Sequence, residues 1–445
     1  MRLIDPNLPQ ASTEVKDSNA TSSYLSVNTN GKNDFDWERV AAGVLQVIQN
    51  KKIKGLTIDQ LLGKAKNNFL QLNADGKLWL VVEKMYFQND QIYKVCPEFL
   101  LLKVQETPLT KIEQRIVKMF ASMLTAHKLS PFNSKVNFLE QPILDVVMQH
   151  MVEDQARYSQ ESAYLPFIED VISQDIQFLL ERPKYFLSHF KNTLEFYGFT
   201  FLAQLSLSLT EWKEGVAPEA KPLFFILEHE KASNERVHLK NQGYKSVKES
   251  LPKMFPYLSM LETIQAKPAK NSDHKRLPLW SLMQSLVSAN NTEDVQRLRA
   301  FSVAFKEQRG LSHVLTPEVT LENVMTDVLE LATEQFKKTA KGTRHGANEK
   351  IVSGVQDMFF VNFVQSRGRH GKTLVLKQDM LILLTNLTIG NQDKLRFHEL
   401  IKGFEQRGVF TDKQTRQELI NFYERVGNVE RMSDSGDAVY VRKTV

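Results

Sequence analysis

The chain has 445 residues, an apolar fraction of 42% and a formal net charge of +5, values typical of a globular protein with roughly two or three domains. Its single cysteine, Cys96, cannot form a disulfide framework. Its apolar runs are shorter than a membrane span, and its first residues lack the pattern of a signal peptide. We therefore expect a cytoplasmic protein that does not insert into a membrane.

The first part of the chain predicts an arm followed by a helical domain. Residues 1–34 are rich in Ser, Thr, Asn and Gly and predict a flexible N-terminal arm. Residues 35–265 predict a helical N-terminal and central domain, in which Val40, Val44 and Val47 recur at helical spacing. Further helices are predicted at about 110–127, 142–153, 166–181 and 184–212. The apolar run Lys221–Glu230 fits a buried strand or a buried helix equally well.

The next part predicts a linker and a second helical domain. Residues 266–276 are polar, charged and interrupted by Pro268, which is typical of a linker. Residues 277–374 predict a helical domain with a basic segment. Its predicted helices lie at about 277–289, 292–307, 320–338 and 349–365, followed by the loop Ser366–Thr373. The predicted fold class is therefore mainly α.

Residues 375–445 predict a winged-helix-like domain, because three amphipathic helices precede two short alternating runs. Thr411 and Gln414 fit a capping box at the start of the third helix. The last run alternates around Tyr440 and ends a β-hairpin whose turn is at Ser435-Gly436. In helix-turn-helix folds the corresponding helix enters the major groove of DNA. We therefore expect this helix and the hairpin to offer a DNA-binding surface.

Positive charge is concentrated just before this domain. From Lys337 to Lys377, nine Lys or Arg residues accompany two carboxylates, a net of +7, whereas residues 378–445 carry ten charges of each sign. A local cluster of cations of this kind favours contact with phosphate. A solvated linker rich in lysine has the same composition and stays an alternative.

Candidate DNA contacts lie in the loop, at the start of the third helix and after the last strand. Arginine, lysine and glutamine are the side chains that commonly contact phosphates and base edges. Winged helices also serve as protein-interaction modules, and Asp434 and Asp437 at the wing would repel phosphate. The candidates are Arg367, Arg369, Lys372, Lys413, Gln414, Arg416, Gln417, Arg442 and Lys443.

Three sequence patterns resemble catalytic or metal sites, and we expect none of them to be one. Asp434-Ser435-Gly436 matches an aspartic-protease signature, but it falls in a predicted hairpin turn of a helical module. Ser366–Thr373 lacks the first glycine of a nucleotide-binding phosphate loop. Leu227–His238 has no zinc-ligand spacing, although Glu228, Glu230 and Arg236 are candidates for a polar network. We predict no enzymatic activity, no cofactor and no bound metal.

The C-terminal segments carry a resemblance to a known family. The stretches RGRHGKTLVLKQDMLILLTNLTIG, KLRFHELIKGFEQRGV and SDSGDAVYVRK resemble the DptG (DndG) family of DNA phosphorothioation-dependent restriction proteins, and Phe224–Tyr244 is similar to it more loosely. The resemblance covers about a quarter of the chain. It implies a subunit of a bacterial defence complex that acts with DptF-like and DptH-like ATPase subunits on double-stranded DNA lacking the sulfur mark. A helical adaptor that bridges only protein partners is the alternative.

Overall fold

A computed structural model describes most of the chain. The described residues are 3–28, 32–72, 76–124, 129–132, 134–154, 161–233, 235–268, 275–340, 342–368, 371–432 and 438–445. The fold in these ranges is mainly helical, which confirms the predicted class. Within them, none of the helices combines the length and the apolar character needed to cross a membrane.

Helices form most of the first half of the molecule. Polar side chains accept hydrogen bonds from backbone N–H groups at the starts of several helices, as Asp36 does for α1 and Thr110 for α5. In chain order the helices are α1 Trp37–Gln49, α2 Ile58–Leu72, α3 Gly76–Tyr86, α4 Leu101–Glu106, α5 Lys111–Ser122, α6 Gln141–His150, α7 Pro166–Leu180, α8 Pro183–Ser208, α9 Val237–Asn241 and α10 Tyr244–Ser250.

The second half continues with helices and ends with a small sheet. The helices are α11 Met254–Ile264, α12 Leu279–Ala289, α13 Thr292–Arg309, α14 Leu321–Glu334, α15 Arg344–Val355, α16 Gln378–Ile389, α17 Phe397–Gln406 and α18 Lys413–Val426. The strands in the described ranges are β1 Lys51–Ile53, β2 Met151–Glu153, β3 Ile226–Leu227, β4 Val364–Ser366, β5 Lys372–Leu376, β6 Lys394–Arg396, β7 Val429–Met432 and β8 Ala438–Arg442.

Helix α8 lies at the centre of the core. Every residue from Phe196 to Ser206 is buried, so this part of the helix is covered on all sides. It packs against α1, α7, α10 and α16. One continuous cluster of buried apolar side chains includes α8 and extends from Ile4 to Val441. The predicted segments on both sides of residues 266–276 therefore share a core.

The N-terminal segment differs from the predicted flexible arm. Within residues 3–28, Ile4, Leu8, Tyr24, Leu25 and Val27 are buried and belong to the main cluster. The backbone N–H of Asp5 donates to the carbonyl of Ile264, and the Tyr24 hydroxyl donates to the carbonyl of Ser162. A few apolar residues spaced through a polar segment are sufficient to hold it against the helices, although such a composition is typical of disordered chain.

The C-terminal domain has the element order of a winged helix. Helix α16 is followed by β6, α17, α18, β7 and β8, and the strands form an antiparallel sheet in the order β6-β8-β7. The short strand β6 was not predicted, because its three residues run directly into α17 and show no alternation of their own. The predicted turn at Ser435-Gly436, with Asp434 and Asp437, lies outside the described residues.

Candidate nucleic-acid interface

The predicted basic loop is the tip of a β-hairpin rather than a connection between two helices. Strands β4 and β5 pair antiparallel, and the backbone N–H of Arg367 donates to the carbonyl of Gly371 over 2.8 Å. Gly368 and Gly371 have φ values of 54° and 83°, which allow the tight turn. Helices α15 and α16 are present on either side, but the strands between them were not predicted, because β5 is buried from Thr373 to Leu376 and a short run buried on both faces lacks alternation.

This geometry also separates the hairpin from a nucleotide-binding loop. A phosphate loop places its Gly-Lys-Ser/Thr at the start of a helix. Here Lys372 and Thr373 begin strand β5, and Thr373 is buried. In the described ranges, no group of three or more His, Cys, Asp or Glu side chains is placed to hold a metal ion.

The hairpin cations differ in how they are held. The Arg367 guanidinium donates through Nη2 to the carbonyl of Glu228 over 2.6 Å, and its Nε is buried without a partner among the described residues. Lys372 is exposed, with its ammonium 5.8 Å from the centre of the Tyr244 ring. Arg369 lies outside the described residues. Lys372 is therefore free to meet a ligand, whereas Arg367 also supports the fold.

The N-cap of helix α18 is Asp412, and the capping box predicted from Thr411 and Gln414 does not form. The Asp412 carboxylate accepts a hydrogen bond from the backbone N–H of Thr415 over 2.9 Å. Thr411 precedes the N-cap position by one residue and is buried, and the Gln414 side chain is exposed. Lys413 and Gln417 are exposed as well. The start of α18 therefore presents three of the predicted contact residues to solvent.

A buried ionic network anchors this helix start to the centre of the chain. The Arg236 guanidinium donates to Asp412 over 2.7 Å and to Glu230 over 2.9 Å, and also to the Thr415 hydroxyl. The side chains of Arg236 and Glu230 are only 6% and 2% exposed. Burial acts to raise the pKa of Asp412, but the hydrogen bonds from Arg236 and Thr415 and the positive charge of Arg236 together outweigh it and hold the pKa below its ordinary value. At the N-terminus of α18, the negative charge of Asp412 is therefore balanced by the positive charge of Arg236.

Two consecutive residues connect the hairpin with α18. The carbonyl of Glu228 accepts the hydrogen bond from Arg367, and the ring of His229 lies 3.4 Å from the Glu418 carboxylate in the second turn of α18. Glu230 then joins the network of Arg236. The segment Glu228–Glu230 thus links the hairpin to the first turns of α18.

The remaining predicted contacts are engaged inside the domain. Arg416 donates to Glu405 over 2.9 Å and to the carbonyl of Thr411 over 3.1 Å. Arg442 donates through Nε to Glu430 over 2.8 Å, and Lys443 donates to the carbonyl of Gly390 over 3.3 Å.

Arg442 and Lys443 also lie apart from the other candidates. The backbone N–H of Arg442 bonds to the carbonyl of Asn428, just beyond the C-terminal end of α18. Helix α18 has 14 residues, so its two ends are roughly 20 Å apart at 1.5 Å per residue. The structure therefore brings together the hairpin and the start of α18, but not the base of the wing.

Sequence reasoning missed the partner that completes the central network. Of the three predicted network residues, Glu230 and Arg236 form an ion pair in it, whereas the carbonyl of Glu228 instead accepts a hydrogen bond from Arg367 of the hairpin. Asp412 lies 176 residues from Arg236 along the chain. An aspartate directly before a helical pattern is a signal for a helix N-cap, which could have drawn attention to Asp412.

The fold and the site define a class: a mainly helical protein whose C-terminal winged helix adjoins a basic β-hairpin. Comparison with protein-family models gives no match for this chain, and comparison with curated proteins gives none either.

Proposed function

We propose that the chain is a non-catalytic, DNA-contacting subunit of a bacterial phosphorothioation-dependent restriction complex. It would act with DptF-like and DptH-like ATPase subunits on DNA that lacks the mark. The resemblance of its C-terminal segments to the DptG family supports this proposal, as does the winged-helix order of the domain that contains most of them.

The observation that carries the proposal is the junction of the hairpin and α18. The carbonyl of Glu228 accepts a hydrogen bond from Arg367, and the adjoining His229 contacts Glu418, so two consecutive residues link a cation of the hairpin to α18. Phosphate contacts fix the position of a protein on a duplex, and base contacts select the sequence. A site of this kind needs both types of side chain in one place.

The division of roles follows from the chemistry of the side chains. Lys372 and Lys413 are exposed cations suited to phosphate, and Gln414 and Gln417 are exposed amides suited to base edges. Asp412, the N-cap of α18, would repel phosphate if it were unpaired. Its ion pair with Arg236, at 11% and 6% side-chain exposure, offsets that charge.

A helical adaptor without DNA contact is the second candidate, and the internal ion pairs favour it. Arg416 and Arg442 are held by Glu405 and Glu430, so neither cation is free in the described structure. A protein-binding winged helix needs no free cations at these positions. The two functions predict different effects of reversing charges at the hairpin and at α18. A DNA-contacting subunit would lose DNA binding, whereas an adaptor would lose its protein partners.

Co-expression with the ATPase subunits tests the proposal. Lys372→Glu/Lys413→Glu should leave the complex intact on affinity purification, because both side chains are exposed and the fold does not depend on them. The same variant should lose restriction of unmodified plasmid DNA. The matched control Lys66→Glu/Lys118→Glu, at two exposed lysines of α2 and α5, should keep restriction. Loss of the complex, with DNA binding by the isolated chain unchanged, would favour the adaptor.

A further inference from the structure

A second basic surface lies in the N-terminal half and shares no residue with the interface described above. It is a cleft of about 1220 Å³ between the end of α3 with the turn after it, the segment 134–140, and the first turns of α8. Its lining includes five lysines and three carboxylates, a net of two positive charges. The lysines are Lys94, Lys103, Lys135, Lys184 and Lys191.

The lysines come from separate segments and converge because of the fold. On α8, Lys184 and Lys191 are seven residues apart with Ser188 between them, so the three share one face of the helix. Lys94 ends a short 3-10 helix, Gln91–Lys94, and Lys135 comes from the connection before α6. Lys94, Lys135, Lys184 and Lys191 are exposed.

These four lysines are free of ion pairs in the described part of the chain. Two of the three carboxylates of the cleft are already engaged by other lining residues. Glu38 pairs with Lys103, and this hydrogen bond is the main reason why the pKa of Glu38 lies below its ordinary value.

Glu140 is also occupied, since it accepts hydrogen bonds from the Tyr86 hydroxyl and the backbone N–H of Asn137, each over 3.0 Å. Of the acids that line the cleft, Asp90 is the one exposed at its edge without such a bond among the described residues. The cleft therefore presents surplus positive charge to a ligand.

The floor of the cleft distinguishes between classes of acidic ligand. Proteins that hold single-stranded nucleic acid stack the bases on accessible aromatic rings. Here Tyr86 and Tyr93 are 8% exposed and Phe190 is 2% exposed, so the rings are covered. The accessible apolar groups are aliphatic: Met85 is 50% exposed, and Val95, Leu100, Val136 and Leu187 are partly exposed. An aliphatic floor beneath a rim of lysines suits a polypeptide better than a nucleic acid.

We propose that this cleft docks an acidic segment of a partner protein, one in which Asp or Glu residues alternate with aliphatic residues. The carboxylates would meet Lys94, Lys135, Lys184 and Lys191, and the aliphatic side chains would cover the floor around Met85. Complementary charge across such a surface steers the encounter and selects the partner. This proposal is independent of the DNA-binding role of the C-terminal domain.

Fluorescence anisotropy with the full chain tests the docking site. The probe is a labelled twelve-residue peptide of alternating Asp and Leu, compared with a Lys and Leu peptide and with labelled oligo(dT). The Asp-Leu peptide should bind, and Lys94→Glu/Lys135→Glu/Lys184→Glu/Lys191→Glu should weaken its binding by roughly tenfold or more, as expected for four exposed charge contacts. Raising the salt concentration should weaken binding of the peptide to the unmodified chain.

Two controls make the result decisive. Reversal of four exposed lysines outside the cleft, Lys66, Lys118, Lys248 and Lys253, should leave binding of the Asp-Leu peptide within about twofold. Met85→Gln should weaken that peptide but not a poly-Glu peptide. The proposal is overturned if the Asp-Leu peptide does not bind, if both quadruple variants weaken it equally, or if only oligo(dT) depends on the cleft lysines.

Discussion

Asp175 on α7 and Arg407 just after α17 form a fully buried ion pair across 232 residues of sequence. Their side chains are 1% and 6% exposed, and the Tyr197 hydroxyl and the carbonyl of Gly403 complete the hydrogen bonding. The pair joins the C-terminal domain to the central helices. Its loss from one side would leave a charge buried without a partner.

Removing one member of this pair should cost far more stability than removing both. We expect Asp175→Asn and Arg407→Met each to lower the free energy of unfolding by about 3–5 kcal/mol. The double variant Asp175→Leu/Arg407→Met should cost less than either, because no charge is left buried. Urea denaturation of the four proteins measures these differences. Single variants within about 1 kcal/mol of the parent would contradict the structural role of the pair.

The start of α18 gives a second stability prediction, because the structure assigns its cap to Asp412 rather than to Thr411 and Gln414. Asp412→Ala should lower the free energy of unfolding by about 2–4 kcal/mol, since it removes an N-cap and one of the two carboxylates that pair with the buried Arg236. Gln414→Ala should change it by less than about 0.5 kcal/mol, because that side chain is exposed. If chemical denaturation showed a larger loss of stability for Gln414→Ala than for Asp412→Ala, the cap would instead be the capping box of Thr411 and Gln414.

Glu262 gives the protein a predicted dependence of stability on pH. Burial raises the pKa of Glu262 to about 7, even though Arg276 lies beside it, and Arg276 is shared with the buried Glu161. The folded state therefore binds a proton more tightly than the unfolded state between about pH 4.5 and 7. The unfolding free energy should fall as pH rises through this window, by on the order of 1–3 kcal/mol.

Glu262→Gln isolates this contribution. A glutamine does not ionise, so the variant should lose that part of the decline and be more stable relative to the parent at pH 8 than at pH 5. Glu249→Gln is the control, since Glu249 is an exposed carboxylate on α10. Equal pH profiles for the Glu262→Gln variant and the parent would show that burial of Glu262 does not shift its pKa in this way.

Alanine variants of the two hairpin cations Arg367 and Lys372 should differ in melting temperature. Arg367→Ala removes a hydrogen bond to the carbonyl of Glu228 and should lower stability by about 1–2 kcal/mol. Lys372→Ala removes an exposed cation near the Tyr244 ring and should change stability by less than about 0.5 kcal/mol. Equal melting temperatures for the two variants would mean that Arg367 has no supporting role.

Local sequence patterns were sufficient for many of the helices and for the predicted C-terminal hairpin, whose strands are β7 and β8, and insufficient for the other strands. The helices of the C-terminal domain were predictable because apolar spacing, Gly390 and Gly427 mark their extent. The hairpin β4–β5 was missed because the apolar run before it, Met358–Phe363, continues a helical pattern into the strand. Three-residue strands such as β4 and β6 are too short for a period to appear.

The candidate site was predictable in its residue types and not in its assembly. Lysines and glutamines before and within an amphipathic helix are visible in the sequence. The contacts that join them, from Glu228 to Arg367 and from Arg236 to Asp412, connect residues 139 and 176 positions apart. The basic cleft in the N-terminal half has the same origin, because its five lysines come from four separate segments of a region without net positive charge.

The central claim is that the hairpin and the start of α18 contact the phosphates of duplex DNA, and the salt dependence of binding tests it most directly. We expect the isolated chain to bind a labelled duplex with a negative slope of log affinity against log salt. Lys372→Ala/Lys413→Ala should reduce the magnitude of that slope by about 1.8, because each phosphate that is no longer neutralised by a lysine accounts for about 0.9. Lys66→Ala/Lys118→Ala should leave it unchanged. A slope near zero for the parent, or the same slope for the parent and the Lys372→Ala/Lys413→Ala variant, would contradict DNA contact at this site and favour the adaptor.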